Sequence, residues 1–591
     1  MLVYEKSQQL AMNEEPLDGG TIEVINSYLV SAAQQMRRTL IRTAFNPVIY
    51  AVLDFGISMY DSKMQLMAEA PGITSFLGAN DAALPKVLNY VGVDNLVEGD
   101  VVLLNYPYWN SAHAYDAMLC APVFHAGSKN PSAFLAVRAH WMDLGAKDAG
   151  YVLDSTDMHQ EGLIFPGTKI VKAGVIDNEI VELIRFNSRL PELTIGDFHA
   201  QLACLRVGER QLHAIWEKFG LHKVERVVAE LIEHGKRFAW RAVQALPHGS
   251  WSAEDWLDDD GVTEDPILMK VTVTIDDSGM LVDYTGSSTA VAGPVNLPIG
   301  TTECLAKTAF KTLTSPWLAT NAGHYAPLRV YAPPGTLFHA VYPSSTFTQW
   351  TKMSSFELVY KALASVIPEL PASSGSDEPG FMALGRDPRT NKNFVVSNNE
   401  GIGWGGTPLH DGASGQMHIS LNIVRNTPIE LLENRASLFH VSLRLLPDSA
   451  GAGTHRGGFG IERRVRFTAD GEVLNMKKKT QTKPWALLGG LEPITNSMTA
   501  WPNTDHSKQL RMRRATMKAG DEFINVSAGG GGWGNPLERD PRKVVEDVLN
   551  GLVLPLSASE IYGVDVIWDG TFTENARRAQ NEPPSSQPIK Y

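Results

Sequence analysis

Residues 103–119 read LLNYPYWNSAHAYDAML and set His113 and Asp116 three positions apart among aromatic side chains. A carboxylate in apolar surroundings costs several kcal/mol unless something compensates it. A metal ion, a basic side chain or a substrate would each serve. A second histidine, His140, ends the run AFLAVRAH, and Asp54 interrupts the apolar run YAVLDFGIS. Adjacent antiparallel strands can return His140 to the His113 loop. Two imidazoles and two carboxylates suit Zn²⁺, Mn²⁺ or Fe²⁺. Spacing alone leaves this open, because no compact motif such as HExxH is present and Asp54 could pair with Arg37, Arg38 or Arg42 instead.

Two further acids stand near these residues in the chain. Glu161, in DMHQEGLIFPG, is a candidate general base or water-orienting group; its alternative role is to bond the turn that follows. Asp143, three after His140, is a candidate partner for an imidazole N–H, of the kind metal-bound histidines require.

The elements that must position these groups follow from periodicity. Apolar residues at Ile22, Ile25, Leu29, Ala32, Met36 and Leu40 predict an amphipathic helix over Thr21–Phe45. IYAVLDFGISMYDSKMQLMAEA predicts two strands around a turn at Asp61-Ser62-Lys63. VVLLN, AMLCAPVF and AFLAVRAHW predict three more, so the first 180 residues read as a mainly β layer behind one long helix. Helical patterns return from Pro191 to Leu246. MKVTVTIDDSGMLVDYTGSS is an alternating hairpin, ECLAKTAFKTL a helix, residues 315–355 an irregular Pro- and aromatic-rich stretch, and the chain beyond 420 strands and turns. The expected class is α+β. Its expected parts are an N-terminal metal-binding domain (1–250), a middle α+β domain (251–420) and a β-rich C-terminal domain (421–591) ending in a polar tail.

Composition narrows the partners. At 591 residues the chain exceeds one ordinary domain. The net charge of −13 disfavours nucleic acid and anionic membranes, and MKKKT reads as a solvated turn. No uncharged run spans a bilayer, and the N-terminus has acids where a signal peptide would be basic. Cys120, Cys204 and Cys304 have no CxxC partner, which disfavours disulfides and a cysteine–zinc site. A cytoplasmic protein is expected. Gly529–Gly534 fits GxGxxG, but Pro536 follows at once and a structural turn is the better reading. There is no GxxxxGK[ST] and no GxSxG.

TAFNPVIY followed by Asp54-Phe55 resembles the N-terminal signature of the hydantoinase B/oxoprolinase family. LLNYPYWNSAHAYD is similar to that family's strand-and-loop motif. RAHWMDLG, HQEGLIFPGTKI, FNSRLPELTIGDFHAQLACLRVGERQL, RNTPIE, LLPDSAGAGTHRGGFG and AGGGGWGNPLERDP are similar to its later blocks, in the family's order. The resemblance implies a subunit of an ATP-dependent hydantoinase, 5-oxoprolinase, caprolactamase, or acetone or acetophenone carboxylase. It implies a hydantoinase A-type partner that binds ATP and Mg in an actin-like fold, and a divalent metal at the positions matching Asp54, His113, Asp116 and His140. Tyr106 replaces the usual Asp before Pro, and Ser111-Ala112 replaces Gly-Thr, so the pocket wall differs while the implied ligands do not.

In such an enzyme the partner would phosphorylate a carbonyl oxygen, and this subunit's metal would act as a Lewis acid. Tyr106, Tyr108, Trp109, Tyr115 and Trp141 offer flat walls and favour aryl-ketone carboxylation with bicarbonate. ATP-dependent hydrolysis of a hydantoin, 5-oxoproline or a lactam is the close alternative, and a non-catalytic structural subunit the third.

Overall fold

Asp18 caps the first helix, α1 (Gly19–Thr43), by accepting the N–H of Thr21. Ile25, Leu29, Ala32, Met36 and Leu40 are buried along its inner face, as the periodicity predicts. The computed structural model describes residues 17–70, 72–375, 380–421, 423–567 and 571–575. The segment before 17 and most of the polar tail lie outside them.

Behind α1 stands a seven-stranded sheet in the order β2-β1-β5-β4-β3-β6-β7. Its strands are β1 (Phe55–Asp61), β2 (Leu66–Glu69), β3 (Val101–Leu104), β4 (Asp116–Val123), β5 (Ala133–His140), β6 (Pro166–Lys172) and β7 (Val175–Ile176). Side chains alternate between its faces. Ala117, Leu119, Leu135 and Val137 join one core with α1, α3 (Pro191–Phe219) and α4 (Leu221–Gln244). Met118, Cys120, Phe134 and Ala136 join another with Ala83, Leu84, Val87 and Leu88 of α2 (Ala79–Val91).

The sheet is therefore covered on both sides, not on one. Sequence periodicity misses α2 because Pro85 sits inside it, where proline forfeits a helical hydrogen bond. Burial on that face holds the helix regardless.

The middle of the chain forms the sheet β11-β10-β9-β8, made of β8 (Gly249–Leu257), β9 (Ile267–Asp276), β10 (Gly279–Asp283) and β11 (Leu328–Tyr331). Helices α5 (Ile299–Thr314) and α6 (Thr351–Leu363) share a core with it. α6 arises at the end of the stretch that reads as irregular. Further on come β12 (Phe381–Asp387), β13 (Lys392–Asn398), β14 (Leu438–Leu445), β15 (Ile461–Phe467), β16 (Gly471–Asn475), β17 (Ser497–Ala500), β18 (Lys508–Gln509), β19 (Arg514–Met517) and β20 (Glu522–Val526). They form two sheets, β13-β12-β16-β19 and β14-β15-β20-β17-β18, which enclose Phe381, Val465, Phe467, Val473 and Phe523. Helices and several sheets thus alternate along the chain, an α+β architecture.

The Gly529–Gly534 run is structural. A Cβ on Gly530 would lie 1.9 Å from the Trp404 carbonyl oxygen, and Gly406 N–H bonds the Gly531 carbonyl at 2.9 Å. A short 3-10 turn, Pro536–Glu538, follows it directly, where a dinucleotide fold would open a helix. Among the described residues, no helix is long and apolar enough to cross a membrane.

The lysines of MKKKT are not solvated. Lys477, Lys478 and Lys479 are all buried. Lys478 Nζ donates to Asp259 at 2.9 Å, Lys479 Nζ to Asp255 at 2.6 Å, and Lys477 Nζ to the Asn525 side chain. A buried charge survives only with such partners. Theirs come from the acid-rich segment 255–260 and from β20 (Glu522–Val526).

Candidate metal centre

Strands β4 and β5 pair antiparallel with Asp116 opposite His140, so the register itself joins carboxylate and imidazole. His113 enters from the loop before β4. That loop holds its shape through the one-turn helix Pro107–Asn110, Ser111 in the left-handed region at φ 61°, and Asn110 Nδ2, which donates to the Asp116 carbonyl at 2.6 Å. Arg138, wholly buried in β5, grips the same loop by donating to the Asn110 and Ser111 carbonyls. One ligating atom from each of His113, Asp116 and His140 lies within 4.8 Å of the others.

Asp116 bridges the two rings. Its Oδ1 lies 3.1 Å from His140 Nδ1 and its Oδ2 3.4 Å from His113 Nε2. Burial lowers the His113 pKa to about 3. For Asp116, burial is outweighed by His113 and His140, and its pKa falls to about 2. His140 is raised: burial opposes its charge, but its hydrogen bond to Asp116 and the nearby Asp54 carboxylate prevail. Two buried imidazoles sharing one ionised carboxylate fit a divalent cation of the zinc, manganese or iron type.

Asp54 does not lie within a strand. It occupies the turn before β1, next to Leu53 at φ 67°, and its backbone carbonyl accepts the His140 N–H at 3.2 Å. With His140, Tyr151, Trp350, Asn399 and Met476 it lines a small cavity beside the trio.

Aromatic rings box the trio. Tyr151 stacks on His140 at 5.8 Å and 10°, and on Trp350 at 6.3 Å and 21°. Phe347 lies 5.3 Å from His113 and 4.8 Å from Tyr115. Tyr151, Phe347 and Trp350 escape sequence reasoning because they lie far from His113 in the chain. For Phe347 and Trp350 the signal was the Pro- and aromatic-rich stretch 315–355.

Of the expected aromatic walls, Tyr115 faces the trio. Trp141 points into the core, its Nε1 donating to Gln201 at 2.6 Å. The ring contacts of Tyr106, Tyr108 and Trp109 are with one another, Tyr90 and Tyr342.

The other two acids stand behind this box. Asp143 is bonded not by an imidazole but by the Tyr115 hydroxyl at 2.8 Å, the Gly145 N–H at 3.1 Å and Arg189. It anchors Tyr115. Glu161 is wholly buried and accepts from Ser155, Ser345, and the N–H groups of Thr346 and Phe347. It draws the loop carrying Phe347 toward the trio, bonding a segment far downstream instead of its own turn.

Residues 18–536 match the sequence model described as Hydantoinase B/oxoprolinase. A protein of Pseudomonas sp. (strain NS671), described as a "Putative D-/L-hydantoinase" component of the B type, is 30% identical over 93% of this chain and 95% of its own. The crystal structure of the ATP-dependent caprolactamase from Pseudomonas jessenii superposes with a TM-score of 0.89 at 26% identity, covering 96% of this chain and 99% of that one. A nucleotide-free acetone carboxylase structure shares the fold, with a TM-score of 0.85 at 18% identity over 95% of this chain and 82% of that one.

Proposed function

This chain belongs to the hydantoinase B/oxoprolinase family, and we propose that it is the metal-holding subunit of an ATP-dependent heteromeric enzyme acting on a carbonyl activated by phosphorylation. The observation that carries this reading is Asp116 bridging two buried imidazoles inside a box of aromatic rings. Opening of a cyclic amide (a hydantoin, 5-oxoproline or a lactam) is the better supported reaction. The relatives named for hydantoinase and caprolactamase align along nearly the whole chain. The aromatics Tyr106, Tyr108, Trp109 and Trp141, which favoured an aryl ketone, make their contacts elsewhere.

A divalent cation held by His113, Asp116 and His140, with Asp54 beside them, would supply Lewis acidity toward a carbonyl oxygen. Asp116 fixes the orientation of both imidazoles. Arg138 and Asn110 hold the loop that delivers His113. Tyr115, Tyr151, Phe347 and Trp350 keep bulk water from the trio and give the substrate ring flat, apolar walls. Asp143 and Glu161 act one layer further out, fixing Tyr115 and the Phe347 loop. The ATP chemistry falls to a hydantoinase A-type partner.

A second reading is carboxylation of an aryl ketone with bicarbonate. The near-parallel rings of His140, Tyr151 and Trp350 favour it, because they present flat aromatic surface beside the trio. Reconstitution with the ATP-binding partner decides between the two. Hydantoin, oxoproline or lactam opening that needs ATP but not bicarbonate is the expected result. Consumption of an acetophenone-type ketone only with ATP and bicarbonate, the amides being inert, would establish the second reading. Turnover of either class without ATP would refute both.

A further inference from the structure

We infer that the first turn of α5 forms an oxyanion subsite beside the metal trio, with Ser111 Oγ and Gln349 Nε2 as its side-chain donors. Both residues are almost wholly buried, at 2% and 3% exposure, and neither atom has a hydrogen-bond partner among the described residues. A buried donor without an acceptor is costly and is rarely kept without use. Each of the two side chains adjoins the first turn of α5, Ser111 at Gly300 and Gln349 at Thr301.

Ser111 Oγ points at the start of the helix, since a Cβ on Gly300 would lie 1.9 Å from it. Gln349 is fixed against the next helical residue, its Oε1 accepting from Thr301 Oγ1 at 3.3 Å, which leaves Nε2 as the unbonded end of the carboxamide. Gln349 also holds φ 49°, a left-handed conformation costly for a non-glycine residue and characteristic of binding sites.

The subsite adjoins the trio through the chain on both sides. Ser111 lies two residues before His113. Gln349 lies between Phe347, whose ring is 5.3 Å from His113, and Trp350, which stacks on Tyr151.

The surroundings select an acceptor. α5 runs for 16 residues and has no side-chain cap, so the positive end of its dipole lies at the turn that Ser111 and Gln349 adjoin. Arg138 places its guanidinium under the loop, donating to the Ser111 carbonyl at 3.2 Å. Side-chain donors, helix dipole and cation together suit a tetrahedral or planar oxyanion. Resting on the reading of a phosphorylated carbonyl substrate, the ligand is the transferred phosphoryl group; bicarbonate offers the same oxygen chemistry. Gly300 is required because any side chain there would displace Ser111.

The test titrates the full-length chain, with and without added Mn²⁺, with inorganic phosphate and separately with bicarbonate, by calorimetry. At least one anion should bind. Gln349→Glu, which replaces a donor by an acceptor of equal size, should weaken it by at least about tenfold, and Ser111→Ala should weaken it several-fold. Gln349→Met, which removes the amide donor altogether, should lose binding. Phosphate binding identifies the substrate's phosphoryl group as the occupant, and binding of bicarbonate alone identifies the carboxyl donor.

Absence of binding for both anions, or undiminished binding in the Gln349 variants, would each overturn the proposal. Metal content is read separately. A chain that takes up no Mn²⁺ yet binds phosphate through Gln349 would refute the metal reading and retain the subsite.

Discussion

Replacing Glu161 with Gln separates a positioning carboxyl from a general base. The short hydrogen bonds fall on one oxygen: Ser155 Oγ at 3.0 Å, Ser345 Oγ at 2.5 Å, Thr346 N–H at 2.8 Å and Phe347 N–H at 3.0 Å reach Oε1. Oε2 has only Thr346 Oγ1, at 3.4 Å. A proton on Oε2 would leave every short bond in place. Burial accordingly raises the Glu161 pKa to about 7, against the lowering influence of these donors.

The folded protein then keeps a proton that the unfolded chain releases from pH 4.5 upward. The contribution to stability therefore falls as pH rises from 4.5 to about 7. At about 1.4 kcal/mol per pH unit, that interval corresponds to roughly 3 kcal/mol. Gln reproduces the protonated form, its carbonyl on the crowded side and its amide toward Thr346 Oγ1.

Glu161→Gln should match the wild type near pH 5 and gain up to roughly 3 kcal/mol on it by pH 8. Glu161→Ala should lose about 3–5 kcal/mol at pH 5, because it strands two backbone N–H groups and neighbouring hydroxyls. Urea unfolding at both pH values, with turnover of the reconstituted enzyme, reads these effects. A positioning role leaves the Gln variant within a few-fold of wild-type turnover. A loss of about 10²–10⁴-fold, with no pH-dependent gain in stability, would refute the reasoning and make Glu161 the base.

Arg138→Met should weaken metal affinity by about 10–100-fold, since it frees the loop that carries His113 while leaving every ligand present; competition with a chelator measures it. Burial lowers the Lys477 pKa to about 7, so its folded form binds fewer protons than the unfolded chain above that pH, and stability from this group rises from about pH 7 toward 10.5. Lys477→Met should flatten the thermal midpoint across pH 7–9, and an unaltered slope would contradict the assignment. The isolated chain should give no binding heat with ATP, because it has no phosphate-cradling loop of the P-loop kind.

Local pattern carried much of the site. The strand signals of AMLCAPVF and AFLAVRAHW place Asp116 beside His140, because antiparallel neighbours must return to the same end. α1 was legible from its apolar spacing. α2 was hidden by Pro85, and Asp54 looked like a strand residue because apolar neighbours flank its turn.

What sequence spacing could not convey was contact between distant segments. Phe347 and Trp350 reach the trio from the middle of the chain. Lys478 and Lys479 look solvated in sequence and are buried only because their acids, 219 and 224 residues away, meet them. The bonds that Glu161 accepts from Ser345, Thr346 and Phe347, 184 to 186 residues downstream, were hidden for the same reason.

Metal analysis of the purified full-length chain and of its Asp116→Ala variant, each after growth with zinc, manganese and iron supplied, tests the central claim most directly. Asp116 sets one carboxylate oxygen beside each imidazole. The wild type should carry about one divalent ion per chain, and Asp116→Ala should carry almost none while keeping its folded circular dichroism spectrum. Full metal occupancy in a folded Asp116→Ala protein, or a wild type that binds no divalent metal at all, would contradict it.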